Sequence, residues 1–253
     1  MGWADGKHVL ITGGGTGIGA ATARALAAEG ARVSLLGRRR EPLESIASKI
    51  GGTAIACDVT DRTAVEKAFD EARSVNGPLD YVILNAGIGD SAPYLKTKRD
   101  AWDRIIATNL TALFDGTQLA LPDLLQGEDK RLVIVASVAG LRGAAYAAPY
   151  VASKHGAVGL VRSLAVEFAT TGLTVNAVCP AFVDTPMVDE SAERIQRVTG
   201  RSHEEARDAL AAMNANGRLI TPDEVADSIL HLCKPSSRSI NGACITLDGG
   251  RGS

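Results

Sequence analysis

The sequence has few aromatic side chains, no long apolar run and no excess of charge of either sign. Aromatic residues make up 4% of the 253 positions, and the formal net charge is -2 at pH 7. So small a net charge gives no field that would concentrate nucleic acid or an anionic membrane surface. Since no segment reaches the apolar length of a membrane span, we expect a small-molecule partner, without nucleic acid or membrane.

Paired cysteines are also lacking. Cys57, Cys179, Cys233 and Cys244 are widely spaced and form no C-x-x-C motif, so neither a disulfide framework nor a zinc site is predicted, and no metal is expected. The polar start, Met1 to Lys7, leads directly into a strand-like run and leaves no room for a signal peptide. We therefore expect a cytoplasmic protein with buried free thiols.

What the chain does have is an alternation of short β-branched runs with longer segments of helical period. This rhythm predicts an α/β fold: one Rossmann-type, doubly wound parallel sheet of about seven strands with helices on both faces. At 45% hydrophobic residues, residues 1–253 are expected to form a single domain. The predicted strands are His8–Thr12, Arg32–Leu36, Thr53–Ala56, Tyr81–Asn85, Arg131–Ala136, Thr174–Val178 and Ala243–Leu247.

Capping signals place three of the helices. The first runs over Ile18–Glu29, and the second starts at Pro42 and ends at Ile50 before a pair of glycines. Near the C-terminus, a capping box with proline at the first helical position predicts a helix from Thr221 to about Leu232. Residues 191–217 are polar and weakly patterned, and we interpret the region near 186–217 as a mobile cover over a site.

A glycine-rich turn, Thr12–Gly19, lies between the first predicted strand and helix. Glycines there let the backbone approach a pyrophosphate, and the positive end of the helix meets its charge. A merely flexible turn is the alternative, but the flanking strand and helix favour nucleotide binding. The predicted contacts are Gly13, Gly15, Thr16, Gly17 and Ile18.

Basic residues follow the second strand, where NAD-binding folds usually place an acid for the ribose. Arg38 or Arg39 could hold a 2′-phosphate through charge-assisted hydrogen bonds, which favours NADP, although a solvated surface is the ordinary alternative. After the third strand, Asp58, with Val59 beside it, could accept a hydrogen bond from adenine. The same stretch also suits a helix cap.

The residues that point to chemistry lie in the second half. Ser137 ends a predicted strand, and Tyr150 and Lys154 are four residues apart, so they share one helix face. A tyrosine beside an ammonium could exchange a proton with a carbonyl oxygen while a hydride is transferred. The serine would share the charge that develops on that oxygen. Each residue alone has an ordinary structural explanation, and the conjunction carries the hypothesis.

These motifs together resemble the short-chain dehydrogenase/reductase family over nearly the whole chain. The resemblance implies a catalytic set of Ser137, Tyr150 and Lys154, with Asn109 at a helix kink whose backbone carbonyl holds a water near the lysine. It also implies cofactor contacts by a further set of positions. These are Gly13, Gly17 and Gly19 in the turn, Asp58, Asn85, Ala86 and Gly87, and Pro180, Val183 and Thr185 beside the nicotinamide.

Two departures from the family pattern affect the cofactor region. Ala181 stands where a glycine is usual, so a positive φ there would be strained. Thr16 stands where many NADP-preferring relatives carry a basic residue. We therefore expect NADP(H) to be preferred and NAD(H) to be possible.

The predicted substrate pocket is mainly apolar, which suits a hydrophobic ketone or a thioester whose carrier stays outside. Arg142 is the candidate cation for a free anionic substrate, although it is expected at the surface. The pocket residues are Ile88, Ala139, Leu141, Tyr146, Phe182 and Met187.

Residues 147–156 and 174–180 are similar to 3-ketoacyl-thioester reductases, polyketide ketoreductases and 3-hydroxyacyl-CoA dehydrogenases. The preferred hypothesis is reversible 3-oxoacyl/3-hydroxyacyl thioester oxidoreduction. A dehydrogenase of free cyclic, aromatic or steroid alcohols is the alternative, and a noncatalytic nucleotide-binding subunit is a minor one. The resemblance also implies a homotetramer, or a homodimer, built through the long helices after the fourth and fifth strands and the last strand.

Overall fold

Seven parallel strands form one sheet in the computed structural model, which describes residues 2–250. Their order is β3-β2-β1-β4-β5-β6-β7. The central strands are buried along their whole length, as expected for a parallel sheet covered on both faces. The strands are β1 His8–Thr12, β2 Arg32–Gly37, β3 Thr53–Ala56, β4 Tyr81–Leu84, β5 Lys130–Val135, β6 Leu173–Pro180 and β7 Cys244–Leu247.

Helices cover both faces of this sheet, and the predicted fold class is confirmed. One apolar core lies beneath α3, α5 and α6, and a second lies beneath α1, α2 and α9. In the described residues, no helix has the length and apolarity needed to cross a membrane. The helices are α1 Gly17–Ala28, α2 Arg40–Ile50, α3 Arg62–Asn76, α4 Arg99–Ile106, α5 Ala112–Leu124, α6 Ala148–Glu167, α7 Pro186–Thr199, α8 His203–Ala211 and α9 Pro222–Cys233.

Several element ends differ from the sequence expectation by one or two residues. β4 stops at Leu84 because the Asn85 amide donates to the Thr12 hydroxyl instead of continuing the ladder. β6 extends to Pro180 because its pairing with β7 continues to that point, whereas its pairing with β5 ends at Val178. The second helix starts at Arg40, not Pro42, and its first turn carries an ion pair between Arg40 and Glu44.

The helix after β4 is interrupted by a wide turn. Residues 107–111 form a π turn between α4 and α5, and Asn109 is fully buried within it. Such turns displace the helical hydrogen-bond ladder by one residue and recur at functional sites. The structure therefore places Asn109 at a helix irregularity, as the family resemblance implied.

The segment expected to be weakly patterned is in fact two helices. α7 and α8 enclose a small core of their own, formed by Val188, Ala192, Ala206 and Leu210. Because two of these four residues are alanines, the apolar stripe is faint in the sequence although the packing is real. We call residues 186–217 the cover; its mobility remains a prediction.

Candidate active site

The predicted site residues gather at the carboxyl edge of the sheet. After β1 the chain builds outward through β2 and β3, and it then returns to the other side of β1 with β4. In open α/β sheets the crevice at such a reversal is where ligands bind. The glycine turn follows β1, Ser137 follows β5, and Pro180 ends β6, so all three lie along this edge.

Two glycines of the turn, Gly13 and Gly19, leave no space for a side chain. Gly13 has a φ of +67°, and a Cβ there would lie 2.8 Å from the Asn85 amide nitrogen. A Cβ on Gly19 would lie 2.2 Å from the Gly13 carbonyl oxygen. In the described part of the chain, the Thr16 side chain makes no capping bond to α1 and the first turn holds no acid. This helix start can therefore accept an anion such as a pyrophosphate.

Asn85 ties the loop after β4 to this turn. Its amide nitrogen lies 3.0 Å from the Thr12 carbonyl oxygen and 3.2 Å from that of Gly13. The Thr12 hydroxyl in turn accepts the Asn85 and Ala86 backbone N–H groups, each at 3.0 Å. A Cβ on Gly87 would be only 3.6 Å from Lys154 Nζ. The predicted cofactor loop thus connects the glycine turn with Lys154.

A cleft of about 240 Å³ opens beside the ends of β2 and β3. Asp58 lies in it with one carboxylate oxygen held by the Thr60 amide at 2.9 Å and the Thr60 hydroxyl at 2.8 Å. These two bonds, with the charge of Arg38, lower the pKa of Asp58. The helix cap of this stretch is Asp61, which accepts the Ala64 N–H. The lining residues are Arg38, Asp58, Val59, Thr60, Arg104, Ala107 and Thr108.

The structure separates the three consecutive arginines. Arg38 lines the cleft, Arg39 is the exposed N-cap residue of α2, and Arg40 pairs with Glu44 at 2.8 Å. Arg104 also reaches this cleft, from α4, and no local pattern indicated it because it is more than sixty positions from Arg38. Of the three consecutive arginines, Arg38 is the one that lines the cleft.

Ser137, Tyr150 and Lys154 converge at the end of β5. The Ser137 hydroxyl lies 3.3 Å from the Pro180 carbonyl and accepts the Ala139 N–H at 3.1 Å. It is also close enough to the Tyr150 side chain to oppose the rise that burial causes in the pKa of that phenol. Lys154 is buried, its Nζ lies 5.7 Å from the centre of the Tyr150 ring, and it donates to the Val135 carbonyl at 2.9 Å.

Burial sets the ionisation of this group. It raises the pKa of Tyr150, and the hydrogen bond with Ser137 acts in the opposite direction. Burial also lowers the pKa of Lys154, to about 8. A buried ammonium is stabilised by a nearby anion, and a buried phenolate by a nearby cation. Burial works against the charged form of both groups, and the mutual stabilisation expected from the i, i+4 spacing stays a prediction.

The Asn109 side chain forms hydrogen bonds with the loop after β4 and with α6. The amide accepts the Ile88 N–H and donates to the Ile88 carbonyl, both at 2.9 Å, and lies 3.3 Å from the Ser153 hydroxyl. Ser153 donates to the Tyr150 carbonyl at 2.7 Å. The π turn is thus fastened both to the loop beyond Gly87 and to the helix that carries Tyr150 and Lys154.

The segment after β6 faces the glycine turn. A Cβ on Gly17 would lie 2.9 Å from the Thr185 methyl group, and Val183 is buried in a bridge to Ile220. Among residues 2–250, the non-glycine positions with positive φ are Asp129 and Tyr146. Ala181 is thus accommodated without the strain that the family glycine suggested.

Sequence reasoning missed Asn214, which holds this segment from the cover. Its amide accepts the Phe182 N–H at 3.1 Å and donates to the Phe182 carbonyl at 2.9 Å and the Arg218 carbonyl at 2.7 Å. Asn214 is 2% exposed. A lone asparagine in a polar stretch carries no local signal of such contacts.

The predicted pocket residues have different surroundings, and the structure does not gather them into one wall. Met187 approaches the loop after β4, where a Cβ on Gly89 would be 3.4 Å from its sulfur. Leu141 packs against the core under α6, and Phe182 packs against the core of the cover. Tyr146 is exposed with a φ of +64°, and its carbonyl accepts the Ala92 N–H at 2.8 Å. Ala139 is buried beside Ser137, and Ile88 is held by Asn109.

Known proteins resemble this chain along nearly its whole length. A family model described as enoyl-(acyl carrier protein) reductase matches residues 13–251. A putative ketoacyl reductase of Streptomyces coelicolor is 34% identical, over 100% of this chain and 99% of that protein. A D-beta-hydroxybutyrate dehydrogenase of Cupriavidus necator is 36% identical, over 97% of this chain and 98% of that protein. A crystal structure of a substituted actinorhodin polyketide ketoreductase with NADPH has a TM-score of 0.93 at 34% identity, covering 99% and 98% of the two chains.

The extent of these matches confirms the family resemblance and the enzymatic interpretation. The family model covers most of the chain, and the relatives cover nearly all of it. The chain belongs to the short-chain dehydrogenase/reductase family, and it is an oxidoreductase that transfers a hydride between a nicotinamide cofactor and a carbonyl or secondary alcohol.

Proposed function

We propose that the protein catalyses the reversible, NADP-dependent interconversion of 3-oxoacyl and 3-hydroxyacyl thioesters. The observation that carries the chemistry is that the side chains of Ser137 and Tyr150 interact beside Lys154, which is buried. Two hydroxyls that share one oxygen-binding position, with an ammonium behind them, suit proton transfer to a carbonyl oxygen that becomes an alkoxide.

The residues present fit a dinucleotide. A side chain at Gly13 or Gly19 would fill the space where the backbone must approach a pyrophosphate, and α1 opens with free N–H groups. Asp58 and Arg38 would hold the adenosine end, and Val183 and Thr185 the nicotinamide end. When bound, the reduced cofactor supplies the hydride, and its oxidised ring adds a positive charge near the phenol.

In the reduction direction, Tyr150 donates its proton to the substrate oxygen. Ser137 donates a hydrogen bond to the same oxygen and shares the negative charge that develops on it. Lys154 stabilises the resulting phenolate, and the π turn at Asn109 offers a backbone carbonyl for a water that returns a proton from solvent. In the oxidation direction, the same phenolate removes the proton of the alcohol.

The substrate class is supported by the pocket and by the relatives. The predicted wall is mainly apolar, which suits an acyl chain. A ketoacyl reductase and a polyketide ketoreductase are among the most similar proteins. A free secondary alcohol or ketone is the second candidate, because a hydroxybutyrate dehydrogenase is equally similar.

Turnover of matched substrates tests the proposal. The purified protein is assayed with NADPH and NADH against an acetoacetyl thioester, the corresponding simple ketone and a cyclic ketone, and nicotinamide absorbance is followed. We expect the highest kcat/KM for the thioester with NADPH. A higher kcat/KM for the ketones would replace the thioester proposal with the second candidate.

Replacing Tyr150 by phenylalanine tests the acid–base role. The variant Tyr150→Phe keeps the ring and deletes the proton, so we expect turnover to fall by at least about 1000-fold. The Kd for NADPH, measured by nicotinamide fluorescence, should change by less than about threefold. Substantial remaining turnover would contradict the mechanism, and the binding measurement distinguishes lost chemistry from a misfolded cleft.

A further inference from the structure

Arg142, the cation that a free acid substrate would need, already has a carboxylate partner. Its guanidinium lies 3.5 Å from the Asp248 carboxylate. Asp248 is buried, and its other carboxylate oxygen accepts the Gly250 N–H at 3.0 Å. The positive charge of Arg142 is thus balanced within the protein.

This ion pair lies between the loop that follows Ser137 and the residue that follows β7. Arg142 follows the short turn after Ser137, and its N–H donates to the Val138 carbonyl at 3.1 Å. Asp248 directly follows β7, whose last residue accepts the Ala181 N–H at 2.8 Å. The pair therefore connects the loops after β5, β6 and β7, on the side of the sheet away from the dinucleotide turn.

Two other arginines on this side are also paired. Arg194 of the cover lies 3.3 Å from the Asp90 carboxylate of the loop after β4. Arg207 of the cover pairs with Asp184, at 2.6 Å, and with Asp189. A substrate carboxylate that entered beside any of these arginines would have to displace an internal carboxylate.

We propose that the Arg142–Asp248 pair makes the site selective for uncharged carbonyl substrates, so that the enzyme accepts esters and thioesters of 3-oxo acids and rejects the free acids. This inference rests on the proposed function, because it specifies the substrate class of the same site.

The physical reason is the cost of burying a carboxylate without a counter-charge. Moving an anion out of water is unfavourable unless a cation or hydrogen-bond donors replace its hydration. Here Arg142 is neutralised by Asp248, and the Asp248 carboxylate also repels a second anion. An ester or thioester carries no such charge and loses little on entering the same space.

The test compares three forms of one acyl group. Reduction by NADPH is measured for 3-oxobutanoate, its ethyl ester and its N-acetylcysteamine thioester. We expect kcat/KM for the ethyl ester to exceed that for the free acid by at least about 100-fold. Equal values would overturn the proposal. An ester that is reduced while the thioester is not would contradict the thioester function but leave the charge selectivity standing.

The variant Asp248→Asn assigns the selectivity to the pair. Removing the carboxylate leaves the Arg142 charge without this partner, so the ester-to-acid ratio should fall by at least about tenfold. The control Asp223→Asn removes an 80% exposed carboxylate that pairs with Arg24, and it should leave the ratio unchanged. An unchanged ratio in folded Asp248→Asn would overturn the assignment.

A second variant covers the case in which Asp248→Asn fails to fold. In the double variant Arg142→Gln/Asp248→Asn, which removes both charges of the pair, the ester-to-acid ratio should stay at the wild-type value, because the neutralised guanidinium does not bind substrate carboxylates in the wild type. A rise of about tenfold or more in that ratio would show that Arg142 does bind them, and this result would overturn the proposal.

Discussion

At the scale of single residues, neighbours in the sequence have different surroundings. Arg38 lines the cleft that also contains Asp58, whereas Arg40 is paired with Glu44 on the exposed side of α2. The sequence indicated that an arginine reads a 2′-phosphate but left Arg38 and Arg39 as alternatives. Their difference arises from where β2 ends and α2 begins.

Replacing Arg38 by aspartate should shift cofactor preference toward NADH. The substitution removes a partner of the 2′-phosphate and adds repulsion, so the ratio of kcat/KM for NADPH to that for NADH should fall by about 100-fold. The matched control is Arg40→Asp, which should leave the ratio within about twofold of the wild type. A shift that occurs only in Arg39→Asp would assign the phosphate to the other candidate.

The burial of Lys154 makes the free energy of unfolding depend on pH, because it lowers the pKa of the lysine. Burial lowers its pKa in the folded state to about 8, from 10.5 for a lysine exposed to water. Below about pH 8 both folded and unfolded chains carry the charge, and the folded state bears the full cost of burying it. Between pH 8 and 10.5 the folded chain loses this proton first, so the unfolded chain binds more protons and stability rises with pH.

Replacing Lys154 by methionine should therefore abolish catalysis and change the pH dependence of unfolding. The difference in free energy of unfolding, wild type minus Lys154→Met, should rise from pH 8 to pH 10 with a slope of at most about 1.4 kcal/mol per pH unit. Urea unfolding at pH 7, 8, 9 and 10 measures it. A difference that is constant over this range would contradict a lowered lysine pKa.

At the scale of elements, the cover is a helix pair with its own core. It rejoins the sheet through Asn214, whose amide fixes both backbone polar groups of Phe182. Phe182 lies between Pro180, near Ser137, and Thr185, near Gly17. Movement of the cover would consequently displace the segment that is predicted to orient the nicotinamide.

Shortening Asn214 to serine should loosen that segment selectively. The Phe182 N–H loses its acceptor, so its hydrogen exchange should accelerate at least about tenfold, and the Kd for NADPH should increase. Asn216→Ser, two positions away and exposed, is the matched control. Unchanged exchange at Phe182 would show that the bridge between Val183 and Ile220 is sufficient by itself.

At the scale of the whole molecule, the outer faces of α5 and α6 suit contact between subunits. Phe114 on α5 is 49% exposed and Val166 on α6 is 79% exposed. A Cβ on Gly159 would meet no atom within 4 Å, so this part of α6 is smooth and open. Exposed apolar side chains on adjacent helices are typical of association surfaces. The homotetramer, or homodimer, that the family resemblance implied stays a prediction, and these side chains are where we expect its contacts.

Replacing Phe114 by arginine should disrupt this assembly. Size-exclusion chromatography with light scattering should give a tetramer for the wild type and a smaller species for Phe114→Arg, because charges on both partners would be buried together. Leu125→Arg replaces another exposed apolar residue, at the end of α5, and is the control expected to remain tetrameric. A monomeric wild type would contradict the expectation outright.

The sequence by itself determined the α/β fold, the dinucleotide turn and the Ser137, Tyr150 and Lys154 group. These features are local: strand and helix periods, glycine spacing and an i, i+4 pair are all visible within a few residues. The helices of the cover were missed, because two of the four residues in their core are alanines, which leave little hydrophobic periodicity in the sequence.

Only the tertiary structure decided which charges are available to a ligand. Asp248 is more than a hundred positions from Arg142, and Asn214 is 32 positions from Phe182. No short-range pattern predicts such pairs, because strand order and loop packing bring them together. The reaction class follows from the local motifs, while selectivity for cofactor and substrate depends on contacts that exist only after folding.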